Sequence, residues 1–378
     1  MAEFRLSAEH QRFATWARAT AAEHIAPLAR HDGRVNRPLL REMGARGLLR
    51  AVFGGTAEPD QAAALQLCLL REAIAQVSGE AETALALQGL GSYPILQSGT
   101  RDLAARWIPP IAAGEAVAAF ALSEPGAGSD AAALELRAEP DGQGWRLTGE
   151  KTWISNAPDA DIYSVFARTT PGTRSKGVTA FAVPGDSAGL TGEPIDMLSP
   201  HPIGHLTFDG VRVGPESVLG EVDDGFAVAM RTLDLFRPSV GAYAVGMAQA
   251  ALDTTVEHVK TRQVHGAPLA RQQAVAHRIA DMVAQLEAGR LLVYAAAAAY
   301  DAGDEPQEQT RRSAIAKLFA TEAAQQIVDG CVQLHGAVAL RSGHLLEQLY
   351  RDVRSLRIYE GASEIQRTII AREVIGIR

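Results

Sequence analysis

Through residues 7–114 the apolar positions recur at helical spacing, and the breaks between the runs carry recognisable end signals. Ser7 is placed to cap the first helix, Asp32-Gly33 to stop it, and Arg37-Pro38 to start another. Residues 61–78 and 81–98 are rich in Ala, Leu, Gln and Glu and are separated by Ser78-Gly79. Tyr93-Pro94 and Pro109-Pro110 are expected to punctuate the remainder of this region.

The texture changes after about residue 115. The runs 116–122, 145–147, 163–167, 178–183 and 206–213 carry aromatic and β-branched residues, with turn residues at Asp141-Gly142, Pro171-Gly172, Pro184-Gly185 and Asp209-Gly210. Strands this close together, with no helix between them, predict an antiparallel barrel or sandwich and not βαβ units. From Asp224-Gly225 the pattern is helical again, with long segments over 225–263, 268–302 and 307–335 broken by Gly266, Pro268, Gly303 and Pro306. Such amphipathic helices suit a bundle that also buries surface against another subunit. The expectation is an α+β multidomain chain: a helical domain over 1–114, a β-domain over 115–221 and a helical bundle over 222–378.

Composition narrows the partners. No run approaches the ~20 apolar residues needed to span a bilayer, so no membrane insertion is expected. The start, MAEFRLSAEHQRF, lacks the basic end and apolar core of a secretory signal. A net charge of −8 gives no field that would hold nucleic acid nonspecifically. Cys68 and Cys331 lie far apart, which argues against zinc or disulfide frameworks and for a reducing, cytoplasmic compartment.

Three clusters bear on chemistry. Residues 121–130 (ALSEPGAGSD) follow a predicted strand, and their glycines would let backbone N–H groups approach a bulky anion such as a pyrophosphate; a flexible connection is the alternative. A third glycine and a following helix are missing, so this is no Rossmann fingerprint. In GEKTWISN at 149–156, Trp153 offers a flat apolar face and Ser155 a hydroxyl, enough to stack on and hydrogen-bond the edge of a flavin. A core tryptophan beside a turn serine reads equally well from composition. In 357–367 (RIYEGASEIQR), Gly361 permits a turn that aims Glu360 inward, ahead of a helix through Ile369 and Ile370. A carboxylate among Ile, Tyr and Gly is a candidate for a raised pKa and a general base, although a solvated turn glutamate is the ordinary reading. His201 and His205 have an i,i+4 spacing, but Pro202 and Gly204 forbid the helix that would make it a metal site, and no metal is expected.

Taken together the clusters resemble the acyl-CoA dehydrogenase family along essentially the whole chain. FALSEPGAGSD at 120–130, GEKTWISN at 149–156, RQVHGAPLARQQ at 262–273, QLHGA at 333–337 and LYRDVRSLRIYEGASEIQR at 349–367 each resemble a family signature, in order. The resemblance implies an N-terminal helical domain, a middle β-domain and a C-terminal four-helix bundle, with FAD as cofactor. It also implies a homotetramer, or a homodimer, in which each FAD is shared across a subunit boundary.

By that resemblance, Phe120, Leu122, Ser123, Gly128 and Ser129 belong to the loop that holds the flavin and its pyrophosphate. Trp153, Ile154 and Ser155 would lie along the isoalloxazine, with Ser155 near N5. Arg262, Gln273 and the stretch Gln333, Gly336, Ala337 would reach the FAD of a neighbouring subunit, and Ala362 and Glu364 the nucleotide end. Asp234, Arg237, Ser129 and Gly361 would approach the acyl-CoA. The family places its base either in the Tyr-Glu-Gly motif, here Glu360, or just before the bundle arginine. That second position is Phe236, which accepts no proton, so the resemblance leaves Glu360.

The implied reaction is α,β-dehydrogenation of an acyl-CoA or acyl-carrier thioester, with an electron-transfer flavoprotein as electron acceptor. A same-fold oxidase or flavin monooxygenase using O2, and a silent thioester-binding scaffold, are the alternatives. Ala337, Ala362 and Val264 depart from the family pattern near the expected nucleotide site, and residues 197–204 (MLSPHPIG) lack an arginine common at that point.

Overall fold

The structure, a computed structural model, describes residues 6–53 and 64–376. The residues 61–63 that open the second predicted helical segment, and the first five of the chain, lie outside the described residues. Helices cover Ala8–Thr20 (α1), Arg37–Ala45 (α2), Leu48–Val52 (α3), Ala64–Ala75 (α4), Gly79–Ser98 (α5) and Arg101–Ala112 (α6). Strands follow at Ala118–Ala121 (β1), Arg137–Asp141 (β2), Gly144–Ser155 (β3), Ile162–Arg168 (β4), Val178–Pro184 (β5), Leu190–Pro194 (β6), Ile203–Val213 (β7) and Val218–Leu219 (β8). The long helix Gly225–Thr261 (α7) leads to a small hairpin, Gln263–Val264 (β9) and Ala267–Pro268 (β10). Gln273–Asp301 (α8), Pro306–His335 (α9), Leu345–Ser355 (α10) and Ser363–Ile375 (α11) complete the chain.

The ends form where the sequence signals them. The Ser7 side chain accepts from His10 N, Asn36 caps α2 with Pro38 in its first turn, and Ser78 Oγ accepts from Ala81 N at the start of α5. Other signals fail. Pro94 lies inside α5, and Pro109-Pro110 inside α6, so neither pair ends its helix. In α5 a side chain from β4 reaches the turn before Pro94, and in α6 the two prolines lie in the last turn, where the helix closes. Ser164 Oγ donates to Gly91 O (2.8 Å), and Pro110 O receives the N–H of Glu115 (2.8 Å).

The chain divides into two compact units. The first comprises Met1–Ala26, Ala63–Glu82 and Asp234–Arg378, and the second Pro27–Ala62 and Thr83–Leu233. The first is helical. In it α9 packs against α8, α10 and α11, while α4 packs against α8 and α1. Asp301, at the end of α8, caps α4 by accepting from Ala64 N (2.6 Å) and Leu65 N (3.0 Å).

The second unit is built on an eight-stranded sheet of order β6-β7-β3-β2-β4-β5-β8, with β1 beside β4. Most pairs are antiparallel, as expected. β1 and β4, however, run parallel, from Ala118 opposite Ile162 to Ala121 opposite Val165. The reason is the connection: some forty residues separate the two strands, far more than a hairpin allows. Gln88 on α5 fixes β1 there, donating to Ala116 O (2.7 Å) and accepting from Ala118 N (2.9 Å). Gly91 is needed in the same contact, since a Cβ would lie 2.5 Å from Ala119 N. Asp209-Gly210, expected as a turn, lies within β7 and bends it opposite a register shift in β3. β4 is buried on both faces, matching its mainly apolar sequence, in which Ser164 is satisfied by Gly91 O. Among the described residues no helix is long and apolar enough to cross a membrane.

Candidate functional site

In the helical unit, residues 357–363 form a closed turn between α10 and α11. Ser363 N donates to Arg357 O (3.0 Å), and Glu322 on α9 ties both ends, accepting from Ser363 Oγ (2.6 Å) and pairing with Arg357 (2.9 Å). At the apex the backbone is left-handed, with φ +50° at Glu360 and +89° at Gly361. A Cβ at Gly361 would meet Gln366 Nε2 at 2.5 Å, so glycine is required there both by conformation and by space. A left-handed glutamate is held at a cost and needs support. Lys317 on α9 supplies it: Nζ donates to Tyr359 O (3.0 Å) and Gly361 O (2.8 Å), the carbonyls on either side of Glu360. Gln366 Nε2 donates to Glu360 O (3.2 Å) and Gly361 O (2.9 Å).

So supported, the Glu360 carboxyl points into protein. Its Oε2 is out of reach of water and has no hydrogen-bond partner among the described residues. Burial raises its pKa against the pull of Arg71, Lys317 and Arg237. The solvated-turn alternative therefore does not describe this residue. Around it lies a buried charge cluster. Arg71 is ion-paired with Glu82, donates to Ser239 Oγ (2.6 Å) and lies over the Tyr243 ring at 5.9 Å. Burial pushes Glu82 up to about 7, and its Oε2 is likewise buried without a partner. Arg237 binds Asp234 (2.7 Å), which also accepts from Thr310 Oγ1 (3.3 Å), and burial raises the Asp234 pKa. Asp234 and Arg237 thus stand as one pair in the same unit as Glu360 and Gly361. Phe236 between them is 1 % exposed.

In the sheet unit, the glycine-rich loop after β1 is clamped to β3. Lys151, fully buried, donates to Leu122 O (2.9 Å) and to Glu124 Oε1 (2.7 Å). Glu124 in turn accepts from Glu135 N (2.5 Å) and Leu136 N (2.9 Å), and Thr152 N donates to Ser123 O (3.0 Å). The carboxylate is therefore satisfied on both oxygens. Burial pushes Lys151 down to about 8 in spite of that partner. Beyond the clamp, Gly128 and Ser129 are exposed, and a Cβ on Gly126 or Gly128 would meet nothing within 4 Å.

At the end of β3 a register shift between Lys151 and Ile154 forms a bulge, and Trp153 sits in it at φ +59° with 54 % of its surface exposed. An exposed indole on a left-handed backbone is costly twice over, and nothing in the packing of the fold requires it. Ile154 is buried and Ser155 half-buried. Phe120 in β1 packs against Phe166, with ring centroids 4.8 Å apart. An exposed aromatic plane, a hydroxyl two residues on and an open glycine loop rigidly tied to the same strand fit the ring and phosphates of a flavin nucleotide.

Other predicted residues stand apart. Arg262, Gln273, Gln333, Gly336, Ala337 and Glu364 are all exposed on the helical unit. Ala362 caps α11 and is half-buried. His201 and His205 turn to different partners: His201 Nε2 lies 2.8 Å from Ser155 Oγ, and His205 lies 3.8 Å from Glu150.

Lys317, Gln366, Arg71, Glu82, Lys151 and Glu124 were not singled out from sequence. One signal was available, since Lys317 interrupts the apolar stretch AIAKLFA at 314–320, and a lone lysine there implies a buried acceptor.

Three family profiles match along the chain: Acyl-CoA dehydrogenase, N-terminal domain over residues 7–115, middle domain over 119–211 and C-terminal domain over 223–375. The chain is 36% identical over 368 residues to cyclohexane-1-carbonyl-CoA dehydrogenase of Geobacter metallireducens, covering 95% of each. The structure of butyryl-CoA dehydrogenase from Megasphaera elsdenii superposes with a TM-score of 0.92 at 32% identity, over 99% of this chain and 100% of that one. A structure of PigA with FAD and proline matches with a TM-score of 0.92 at 28% identity, over 98% and 99%. The chain belongs to the acyl-CoA dehydrogenase family of flavin-dependent oxidoreductases.

Proposed function

We propose that this enzyme dehydrogenates an acyl thioester between Cα and Cβ, with Glu360 as the base that removes the α-proton. The observation that carries the reading is the Glu360 carboxyl: held on a left-handed turn by Lys317 and Gln366, with Oε2 dry, unpartnered and of raised proton affinity. A carbon acid requires a base of that kind, because a solvated carboxylate, with its pKa of about 4, is too weak to compete for an α-proton.

Leu122, Ser123, Gly128, Ser129, Trp153 and Ser155 would hold FAD, the first two placed by Lys151 and by Thr152 N. Bound there, FAD would supply the acceptor for the hydride that leaves Cβ. Trp153 presents the apolar plane and excludes water on its side, while Ser155 supplies a hydroxyl. Asp234 and Arg237 form a preset polar pair for the thioester end of the substrate. The exposed residues Arg262, Gln273, Gln333, Gly336, Ala337 and Glu364 belong, in this reading, to the surface that meets a second copy of the chain, in a homotetramer or homodimer. An electron-transfer flavoprotein would then reoxidise the enzyme.

Relatives named for cyclohexane-1-carbonyl-CoA and butyryl-CoA support, as the substrate in this reading, a CoA thioester of a small or cyclic acyl group. A panel of acyl-CoA and acyl-carrier thioesters, titrated anaerobically into the FAD-loaded protein, tests the reading. At least one is expected to bleach the flavin absorption of the wild type. None is expected to bleach that of Glu360→Gln, which should still retain FAD. Equal bleaching of the two proteins would contradict the role given to Glu360.

A further inference from the structure

The use of segment 197–204 in this chain is set by its own sequence. His201 stands between Pro200 and Pro202. Proline fixes its own φ and pushes the preceding residue to extended backbone, so His201 has little freedom. Its backbone is held from two sides. Asn156 N donates to Pro202 O (2.7 Å), and Ser155 is in register with Ile203. On the other side lies Gly33, whose added Cβ would stand 3.7 Å from His201 N. The imidazole is thereby delivered to one place, with Nε2 2.8 Å from Ser155 Oγ.

We propose that His201 is a positioning residue for Ser155, fixing the direction in which its hydroxyl proton points and so the contact that Ser155 makes with the flavin ring. A serine hydroxyl has one proton and rotates freely unless a partner claims it. When Nε2 carries a proton and donates, the hydroxyl proton is free for the ligand; when Nε2 is bare, it takes that proton and leaves only lone pairs. In either tautomer the hydroxyl is committed before a ligand arrives, which removes an ordering cost from binding. Burial pushes the His201 pKa down to about 4, so at neutral pH the ring is uncharged and puts no cation beside the flavin.

This inference rests on the flavin reading of Ser155, and its test separates the two. FAD affinity and visible spectrum are measured for full-length wild type, His201→Phe, His201→Asn, Ser155→Ala and the double variant Ser155→Ala/His201→Phe. Loss of one oriented hydrogen bond predicts FAD binding weaker by about tenfold in His201→Phe. Partial recovery is expected in His201→Asn, and no further loss on adding His201→Phe to Ser155→Ala. Equal losses in both backgrounds, or no loss in either, would overturn the proposal. Failure of the wild type to take up FAD would overturn the flavin reading instead. In that event imidazole nitrogen NMR of the FAD-free chain still reports the contact. The His201 ring resonances should move in Ser155→Ala, and unmoved resonances would overturn the pairing.

Discussion

Two buried lysines, one in each unit, each anchor a loop that carries candidate site residues, in different ways. Lys317 and Lys151 are both pushed down to about 8 by burial, and each anchors a loop through backbone carbonyls. Lys151 also has a carboxylate of its own, Glu124, so its charge is cancelled where it stands. Among the described residues Lys317 donates to the carbonyls flanking Glu360 and not to a carboxylate, and its charge falls on Glu360, where it works against the effect of burial. The comparison separates two uses of one side chain. The first fixes the glycine-rich loop without leaving a field; the second fixes a turn and tunes the group the turn carries.

Removing the tuned group has the largest expected effect. Glu360→Gln keeps the volume and the turn but loses the base, and thioester-dependent flavin reduction should fall on the order of 10³-fold in stopped-flow traces. Breaking the cancelled pair comes next. Lys151→Met strands Glu124 as a buried, unpaired charge, and the sheet unit should lose about 3–5 kcal/mol in denaturant unfolding. Adding Glu124→Gln should recover part of that loss; no recovery would show that the pair does not act as a unit.

Lys317→Met sharpens the comparison from the other side. It leaves Tyr359 O without its donor and should cost about 2 kcal/mol of stability. Because a positive charge near a carboxyl lowers its pKa, its loss raises that of Glu360. The base must be deprotonated to act, so the acidic limb of the kcat/KM profile should move to higher pH. A limb that stays in place would deny the second use of this lysine. The smallest effect is expected at Trp153. Trp153→Asn suits the left-handed backbone and should stabilise the FAD-free protein by roughly 1 kcal/mol or less, while weakening FAD retention on a binding isotherm.

The order of helices and strands was legible in the sequence because capping residues, turn pairs and apolar periodicity are local. Pro94 and Pro109-Pro110 misled for the same reason: a local rule reads proline as a stop, whereas both helices run through theirs. The parallel β1–β4 pair was hidden likewise, since its partners are set by the Gln88 amide thirty residues away. At the site, Glu360, Trp153 and Ser155 could be singled out because their motifs are contiguous. Their supports could not. Lys317 reaches Glu360 across 43 positions, Lys151 reaches Glu124 across 27, and His201 reaches Ser155 across 46. The residues that bear chemistry sit in short signatures, whereas those that set its geometry are brought in by the fold.

The central claim is that Glu360 exchanges a proton with the α-carbon of a thioester. It is tested most directly in heavy water, with the FAD-loaded protein and an acyl-CoA that has sulfur in place of its β-carbon and therefore no hydride to give. The wild type is predicted to place deuterium at Cα, read by mass spectrometry, and Glu360→Gln with FAD still bound is predicted not to. Exchange at equal rates in the two proteins would contradict the account.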